Sequence, residues 1–181
     1  MRTSCTGSGP VPAEPRVASL LRVLDRHGVS FVVIGAQAAV AAGAPIVTAD
    51  LDITPAPDEG NLRRLSAALR ELEARLRTPS DPAGEPFPVE PELLATATLW
   101  TLTTRLGDLD LVFEPSGTSG FGDLRRDARR LEVADGLSVL VASLLDVIRT
   151  KQATGRAKDL AQLPLLRQTL EEIRRHERQA R

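Results

Sequence analysis

Two aspartates, Asp50 and Asp52, lie two residues apart in an apolar run that is typical of a β-strand. Residues at i and i+2 of a strand point to the same face, with Cα atoms roughly 6.5–7 Å apart. At that separation both carboxylates can bind one divalent cation or two neighbouring ones. Because like charges this close raise each other's pKa unless a cation offsets them, the pair predicts a metal site.

A third carboxylate, Asp110, lies on a second predicted strand, Leu109–Phe113, where it shares a face with Asp108 and Val112. If the two predicted strands are neighbours, Asp110 completes a three-carboxylate cluster. Asp108 is the alternative third ligand, but it adjoins Gly107 at a turn, where aspartate commonly serves the turn itself. Such a cluster suits two Mg²⁺ ions, which can promote in-line phosphoryl displacement.

The elements that must position these aspartates follow from hydrophobic periodicity. The order helix, strand, helix, strand, helix, hairpin, helices predicts an α/β (α+β) fold with a small mixed sheet flanked by helices. Strands are predicted at 29–34, around 50–52, and at 98–103, 109–113 and 137–141. Helices are predicted from Pro15 to Gly28, at 37–42, along the leucine stripe 62–76, and at 124–130, 142–154 and 157–175. Residues 78–91 hold five prolines and are predicted to form a surface loop.

We expect one core at 15–141, a disordered tail at 1–14, and a C-terminal helical segment at 142–181 that packs on the core. The tail is rich in Ser, Gly and Pro. No apolar run has the length of a signal peptide or of a membrane span. Together with the lone Cys5, this predicts a reducing, cytoplasmic location and no membrane partner.

Composition narrows the chemistry further. Four Phe, one Trp and no Tyr make an RNA-binding module based on aromatic stacking improbable, and a net charge of −1 disfavours a general polyanion binder. One Cys and two His disfavour transition-metal sites, so a metal here should be hard and oxygen-ligated.

A glycine step precedes the aspartate pair. Gly35 allows a backbone to approach a phosphate closely, and the helix predicted to begin at Ala36 offers free N–H groups. The residues of a phosphate site and of a metal site thus lie within one short stretch of the chain.

These residues carry a family resemblance. Gly35-Ala36, Thr48-Ala49-Asp50-Leu51-Asp52 and Leu109-Asp110-Leu111-Val112 resemble the nucleotidyltransferase superfamily related to DNA polymerase beta. Its pattern is a Gly-Ser or Gly-Gly step, a D-x-D motif about a dozen residues later, and a third acid on a later strand. The run Leu144-Leu145-Asp146 through Lys151, Gly155, Arg156, Lys158 and Asp159 resembles the helical segment of AbiEii-type and related bacterial toxin nucleotidyltransferases.

The resemblance implies a transfer of a nucleoside monophosphate from ATP or another NTP to an acceptor hydroxyl, with two Mg²⁺ ions as cofactors. It assigns catalysis and metal binding to Asp50, Asp52 and Asp110, and nucleotide binding to Gly35, Ala36, Thr48, Lys151, Arg156 and Asp159. The acceptor it implies is tRNA or a protein, in a toxin–antitoxin setting with a cognate antitoxin as partner. A small antibiotic is the alternative acceptor.

The chain departs from the family pattern at two places. Ala36 stands where the family has a serine or glycine, and Pro45-Ile46-Val47 replaces an arginine before the Thr-x-Asp. The second hypothesis is therefore a catalytically silent relative that binds a nucleotide or a partner. Because all three aspartates are present, the enzyme is the favoured interpretation.

Overall fold

A mixed sheet of eight strands forms the centre of the protein in a computed structural model, which describes residues 14–179. The strands are β1 (Phe31–Val33), β2 (Leu51–Pro55), β3 (Arg75–Thr78), β4 (Asp81–Glu85), β5 (Leu99–Thr104), β6 (Gly107–Val112), β7 (Arg129–Ala134) and β8 (Leu137–Val141). The helices are α1 (Pro15–Arg26), α2 (Gly35–Ala41), α3 (Glu59–Glu71), α4 (Pro91–Leu94), α5 (Phe121–Asp127), α6 (Leu144–Thr154) and α7 (Ala157–Gln179). The predicted α/β class is confirmed.

The strand order is β4-β3-β5-β6-β2-β1-β8-β7. Strands β2 and β6 pair in parallel, as do β1 and β8, and the other neighbours are antiparallel. The two strands that carry the predicted metal ligands are therefore direct neighbours in the middle of the sheet.

Alternation along β2 and β6 separates an apolar face from an acidic one. Leu51, Ile53, Leu109 and Leu111 are fully buried and join one core cluster with the apolar stripes of α1 and α3. Side chains of a strand alternate between faces, so the aspartates of these strands lie on the opposite face. There α2 contacts both β2 and α6.

Helix ends follow local chemistry. The Asp58 carboxylate accepts a hydrogen bond from Asn61 N (2.9 Å) and caps α3. Gly155 ends α6 in the left-handed conformation (φ +68°), which glycine adopts without a steric penalty. Pro164 lies inside α7 without ending it.

Three of the predicted elements were wrong. The leucine stripe was expected to continue the helix to Leu76, but α3 ends at Glu71, Glu73 adopts a positive φ (+53°), and Leu76 lies on β3. The proline-rich stretch 78–91 is not a plain loop, because it includes β4 and leads into α4. Residues 124–130 were expected to be helical, but α5 ends at Asp127 and Arg129 begins β7.

Smaller differences concern the glycine step. Strand β1 is shorter than the predicted 29–34, and α2 begins at Gly35 and ends at Ala41.

The expected tail lies, except for Glu14, outside the described residues. Across residues 14–179, none of the helices combines the length and apolar character needed to cross a membrane.

Candidate active site

Asp52 and Asp110 are paired residues on β2 and β6. The parallel register joins Leu51 with Leu109, Asp52 with Asp110 and Ile53 with Leu111. Asp50 immediately precedes β2, is exposed, and acts electrostatically on both other aspartates. The structure thus pairs two of the three predicted metal ligands and places Asp50 next to them in the chain, and it favours Asp110 over Asp108 as the partner of Asp52.

Gly35 lies directly against the carboxylate of Asp52. A Cβ at position 35 would lie 2.3 Å from Asp52 Oδ2, and Gly35 has φ +64°. The backbone fixes this approach, because Ile34 N donates to the Asp52 carbonyl oxygen (3.0 Å). Only glycine satisfies both the backbone conformation and the space at this position.

The pKa of Asp52 is raised to about 7. Burial is the largest cause, followed by the negative charges of Asp110 and Asp50, while Lys151 and Lys158 oppose the rise. Burial also raises the pKa of Asp110, although Arg77 opposes that rise. The site therefore holds more negative charge than its surroundings stabilise, which is the condition in which a cation binds favourably.

Lys151 lies near this charge from α6 but is held by a partner on α7. Its Nζ donates to Asp159 Oδ1 (2.9 Å), and both side chains are only 12% exposed. The pair joins α6 to α7, so two of the predicted nucleotide-binding residues are in direct contact. Lys158, which is exposed, adds a second positive charge near Asp52.

Arg77, on β3, contacts two aspartates of β6. Its Nη1 lies 3.0 Å from Asp108 Oδ2 and its Nη2 lies 3.3 Å from Asp110 Oδ1. The guanidinium reaches them across β5, where Thr101 is paired with Asp110 and Thr103 with Asp108. Asp108 is therefore a partner of Arg77. The sequence had suggested that Asp108 serves the turn beside Gly107, and that expectation was wrong.

The donor set of the site fits a hard divalent cation, because the three carboxylates supply oxygen ligands only. The raised pKa of Asp52 and the glycine that makes room for its carboxylate agree with that fit. Within residues 14–179, however, no three ligating side chains already converge closely enough to hold a metal ion. The hydrogen bond from Arg77 Nη2 to Asp110 Oδ1 is a physical reason for this, because it engages one of the two oxygens of the Asp110 carboxylate.

The other predicted nucleotide-binding residues, Ala36, Thr48 and Arg156, lie on three different segments of the chain. Ala36 follows Gly35 in α2. Thr48 is not on a strand; it lies in the irregular segment before β2, where its carbonyl oxygen accepts a hydrogen bond from the buried Gln37 Nε2 (3.2 Å). Arg156 is exposed between α6 and α7, and its carbonyl oxygen accepts the first hydrogen bonds of α7.

Sequence reasoning missed Arg77 and did not select Lys158. Arg77 was overlooked because the helical stripe was extended one leucine too far, from Leu72 to Leu76. The signal available was the alternation Arg75-Leu76-Arg77, which is typical of a half-buried strand. Lys158 lies next to the predicted Asp159, but helix periodicity alone gives no indication of its distance from Asp52.

Comparison with known proteins adds the fold relationship. No family model matches the chain, and no curated protein matches it. A solved structure of a Thermotoga maritima protein assigned as a nucleotidyltransferase is similar, with a TM-score of 0.54 and 19% identity over 90% of this chain and 97% of that one. The chain has a nucleotidyltransferase-like fold. At this identity the likeness shows the fold, so the activity has to be argued from the site.

Proposed function

We propose that the protein is a Mg²⁺-dependent nucleotidyltransferase that moves a nucleoside monophosphate from an NTP to an acceptor hydroxyl, with release of pyrophosphate. The observation that carries the proposal is the pairing of Asp52 with Asp110 on adjacent parallel strands, with Asp50 beside them and Gly35 against the Asp52 carboxylate. The nucleotidyltransferase-like fold supports it.

Asp50, Asp52 and Asp110 would hold two metal ions. When bound, Mg²⁺ supplies Lewis-acid stabilisation of the charge on the transferring phosphoryl group. Asp110 would accept the proton of the acceptor hydroxyl, for which it must come within hydrogen-bond reach. The backbone of Gly35, with Ala36 and Thr48 nearby, would lie close to the nucleotide phosphates.

The positive charges at the α6–α7 junction complete the proposed nucleotide site. Lys151 would oppose the charge of the triphosphate, with Asp159 holding its ammonium group in place. Arg156 and Lys158 are exposed at the same junction, where they can reach a bound anion. These groups act through charge, which matters because phosphoryl transfer depends mainly on positioning and electrostatic stabilisation.

We further propose a toxin of a bacterial toxin–antitoxin system, with tRNA or a protein as acceptor and a cognate antitoxin as partner. The resemblance of the Leu144–Asp159 run to toxin nucleotidyltransferases supports this. The test is incubation with Mg²⁺ and each radiolabelled NTP plus bulk tRNA or cell lysate, beside an Asp50→Asn/Asp52→Asn control. Label on RNA or on protein, present only with intact carboxylates, is expected and identifies the acceptor class; label on a small antibiotic instead would redirect the assignment.

A silent nucleotide- or partner-binding relative is the second candidate. Ala36 favours it, since a phosphate-contacting serine or glycine is absent, and so does the engagement of Asp110 by Arg77. A silent binder should bind NTP equally well with and without Mg²⁺ and should tolerate Asp50→Asn. Pyrophosphate release that depends on Asp50 would exclude it.

A further inference from the structure

Arg77 occupies an unusual place, because its guanidinium contacts two carboxylates of β6 at once. It lies closer to Asp108 Oδ2 (3.0 Å) than to Asp110 Oδ1 (3.3 Å). All three side chains are partly buried, with exposed fractions between 23% and 29%. Pairs in such surroundings are screened less than pairs on an open surface.

Within residues 14–179, the guanidinium of Arg77 has no polar partner besides these two carboxylates. Arg77 Nε is buried and makes no hydrogen bond within residues 14–179. A buried N–H without a partner is costly, so the arginine keeps this position chiefly through the two carboxylates. The contact between Arg77 and Asp110 therefore also restrains the Asp110 carboxylate.

Asp110 faces two competing groups of partners. On one side, across β5, lies Arg77; on the other lies Asp52, its partner in the β2–β6 register. A cation shared with Asp50 and Asp52 needs the same carboxylate that Arg77 engages. The two interactions compete for Asp110, and Asp108 provides Arg77 with a carboxylate to keep when Asp110 leaves.

We propose that Arg77 is a positioning residue that holds Asp110 out of the shared metal site until divalent cations bind, with Asp108 as its permanent counter-ion. This inference rests on the proposed function, because it takes the three-aspartate cluster to be a divalent-cation site. It accounts for the contact of Arg77 with Asp110, a carboxylate of the proposed cation site. It also gives Asp108 a role separate from metal ligation.

The test measures Mn²⁺ binding to the full chain without nucleotide, by the paramagnetic resonance signal of free Mn²⁺. Arg77→Met is expected to lower the Kd for Mn²⁺ about tenfold, because Asp110 is released. Arg75→Met is the matched control: Arg75 lies two residues earlier on β3, and its Nε donates to the Gly84 carbonyl oxygen (2.8 Å). The control should change the Kd less than about twofold.

A general loss of positive charge would also favour the cation, so the same substitution is made in an Asp110→Asn background. If Arg77 acts through Asp110, the tenfold gain shrinks to less than about twofold there. If Arg77→Met does not fold, as judged by circular dichroism, Arg77→Lys carries the same comparison. A lysine keeps the charge but lacks the fork that contacts two carboxylates, so a gain of about threefold is expected.

An unchanged or higher Kd in the Arg77 variants overturns the inference, and so does an equal gain with and without Asp110. In either case Mn²⁺ binding that depends on Asp50 and Asp52 leaves the proposed function standing. Absence of such binding in every variant overturns the metal site of the proposed function, and the role of Arg77 with it. Transfer of label from NTP is scored separately.

Discussion

Asp52 and Asp110 are register partners on the adjacent parallel strands β2 and β6, in the middle of an eight-stranded sheet. This relationship joins two aspartates that lie 58 positions apart in the chain. Because neighbouring strands are only about 4.8 Å apart, the pairing places both carboxylates on the same face at close range. Their mutual repulsion and their burial are the reason for which we propose a cation site on this face.

The first prediction concerns Gly35. Gly35→Ala should lower the free energy of unfolding by more than the roughly 1–2 kcal/mol of left-handed backbone strain, because its Cβ would lie 2.3 Å from Asp52 Oδ2. Nucleotide transfer should fall at least about a hundredfold, as misplacement of a reacting group by about 1 Å has that effect. Urea denaturation and the labelled-NTP assay measure the two effects.

Gly136→Ala provides the control for that change. Gly136 has nearly the same φ (+68°) but no atom within 4 Å of a Cβ, so it suffers the strain without the clash. Equal losses of stability in the two variants would show that the contact with Asp52 is unimportant.

The second prediction concerns the pH dependence of stability through Asp52. Its pKa is about 7 in the folded protein and 3.8 ordinarily, so the folded state prefers the protonated form. This contribution to stability is complete below pH 3.8 and is lost as the pH rises through 7. At pH 8 without metal, Asp52→Asn should therefore raise the free energy of unfolding, on the order of 1–3 kcal/mol.

Thermal melts at acidic pH and at pH 8 check this. The gain from Asp52→Asn should disappear at low pH, and saturating Mg²⁺ should reduce it at pH 8 by stabilising the wild type. Asp25→Asn, at an exposed position on α1, serves as the comparison. A gain that is the same at every pH would contradict the assignment.

The third prediction separates the structural and functional parts of the Lys151–Asp159 pair. Lys151→Met leaves a nearly buried carboxylate without its partner and should cost about 3 kcal/mol of unfolding free energy. The double variant Lys151→Met/Asp159→Leu should recover much of that loss, since both charges are removed. Binding of NTP should be weak in both variants, because both lack the ammonium group.

Chemical denaturation and a fluorescent-NTP titration measure these two properties independently. Lys158→Met removes an exposed charge at the same junction and should weaken NTP binding without a large loss of stability. Recovery of NTP binding in the double variant would show that Lys151 serves the helix junction alone.

The fourth prediction concerns Asn61, which joins the segment before β1 to the segment after β2. Its side chain is fully buried; Oδ1 accepts from Ser30 N (2.7 Å), and Nδ2 donates to the carbonyl oxygens of Ser30 (2.9 Å) and Ala56 (2.8 Å). Asn61→Ala removes the partner of Ser30 N and of the Ala56 carbonyl oxygen, while the Ser30 carbonyl oxygen keeps its bond from Ala56 N, so we expect a loss of about 3 kcal/mol.

Urea denaturation of Asn61→Ala and Asn61→Asp tests this, since the aspartate retains the acceptor but not the donors. Because its buried carboxylate would face the carbonyl oxygens of Ser30 and Ala56, the aspartate variant should be at least as unstable as the alanine variant at neutral pH. A loss below about 1 kcal/mol in the alanine variant would mean that these segments are held by packing alone.

The fold class was predictable because its signals are local. Alternation of leucine with aspartate on β6 and the helical stripe Leu62 to Leu72 both survive in the structure. Strands β3, β4 and β7 were not predicted, since most of their side chains are exposed or only partly buried and their sequences show little apolar alternation. At Leu76 the helical period and the strand pattern overlap, and sheet pairing with Leu102 decided between them.

The sequence by itself determined which residue types can hold a cation, and that Leu51 and Ile53 face the core while Asp52 does not, because side-chain periodicity is a property of the local backbone. The expectation that Asp50 shares the strand with Asp52 was wrong, since β2 begins at Leu51. The tertiary structure alone decided that Asp110 aligns with Asp52, that Arg77 engages Asp110, and that Lys151 is tied to Asp159. These relationships depend on strand order, register and helix packing. They are set by how buried surfaces fit together over the whole chain, and no local pattern encodes them.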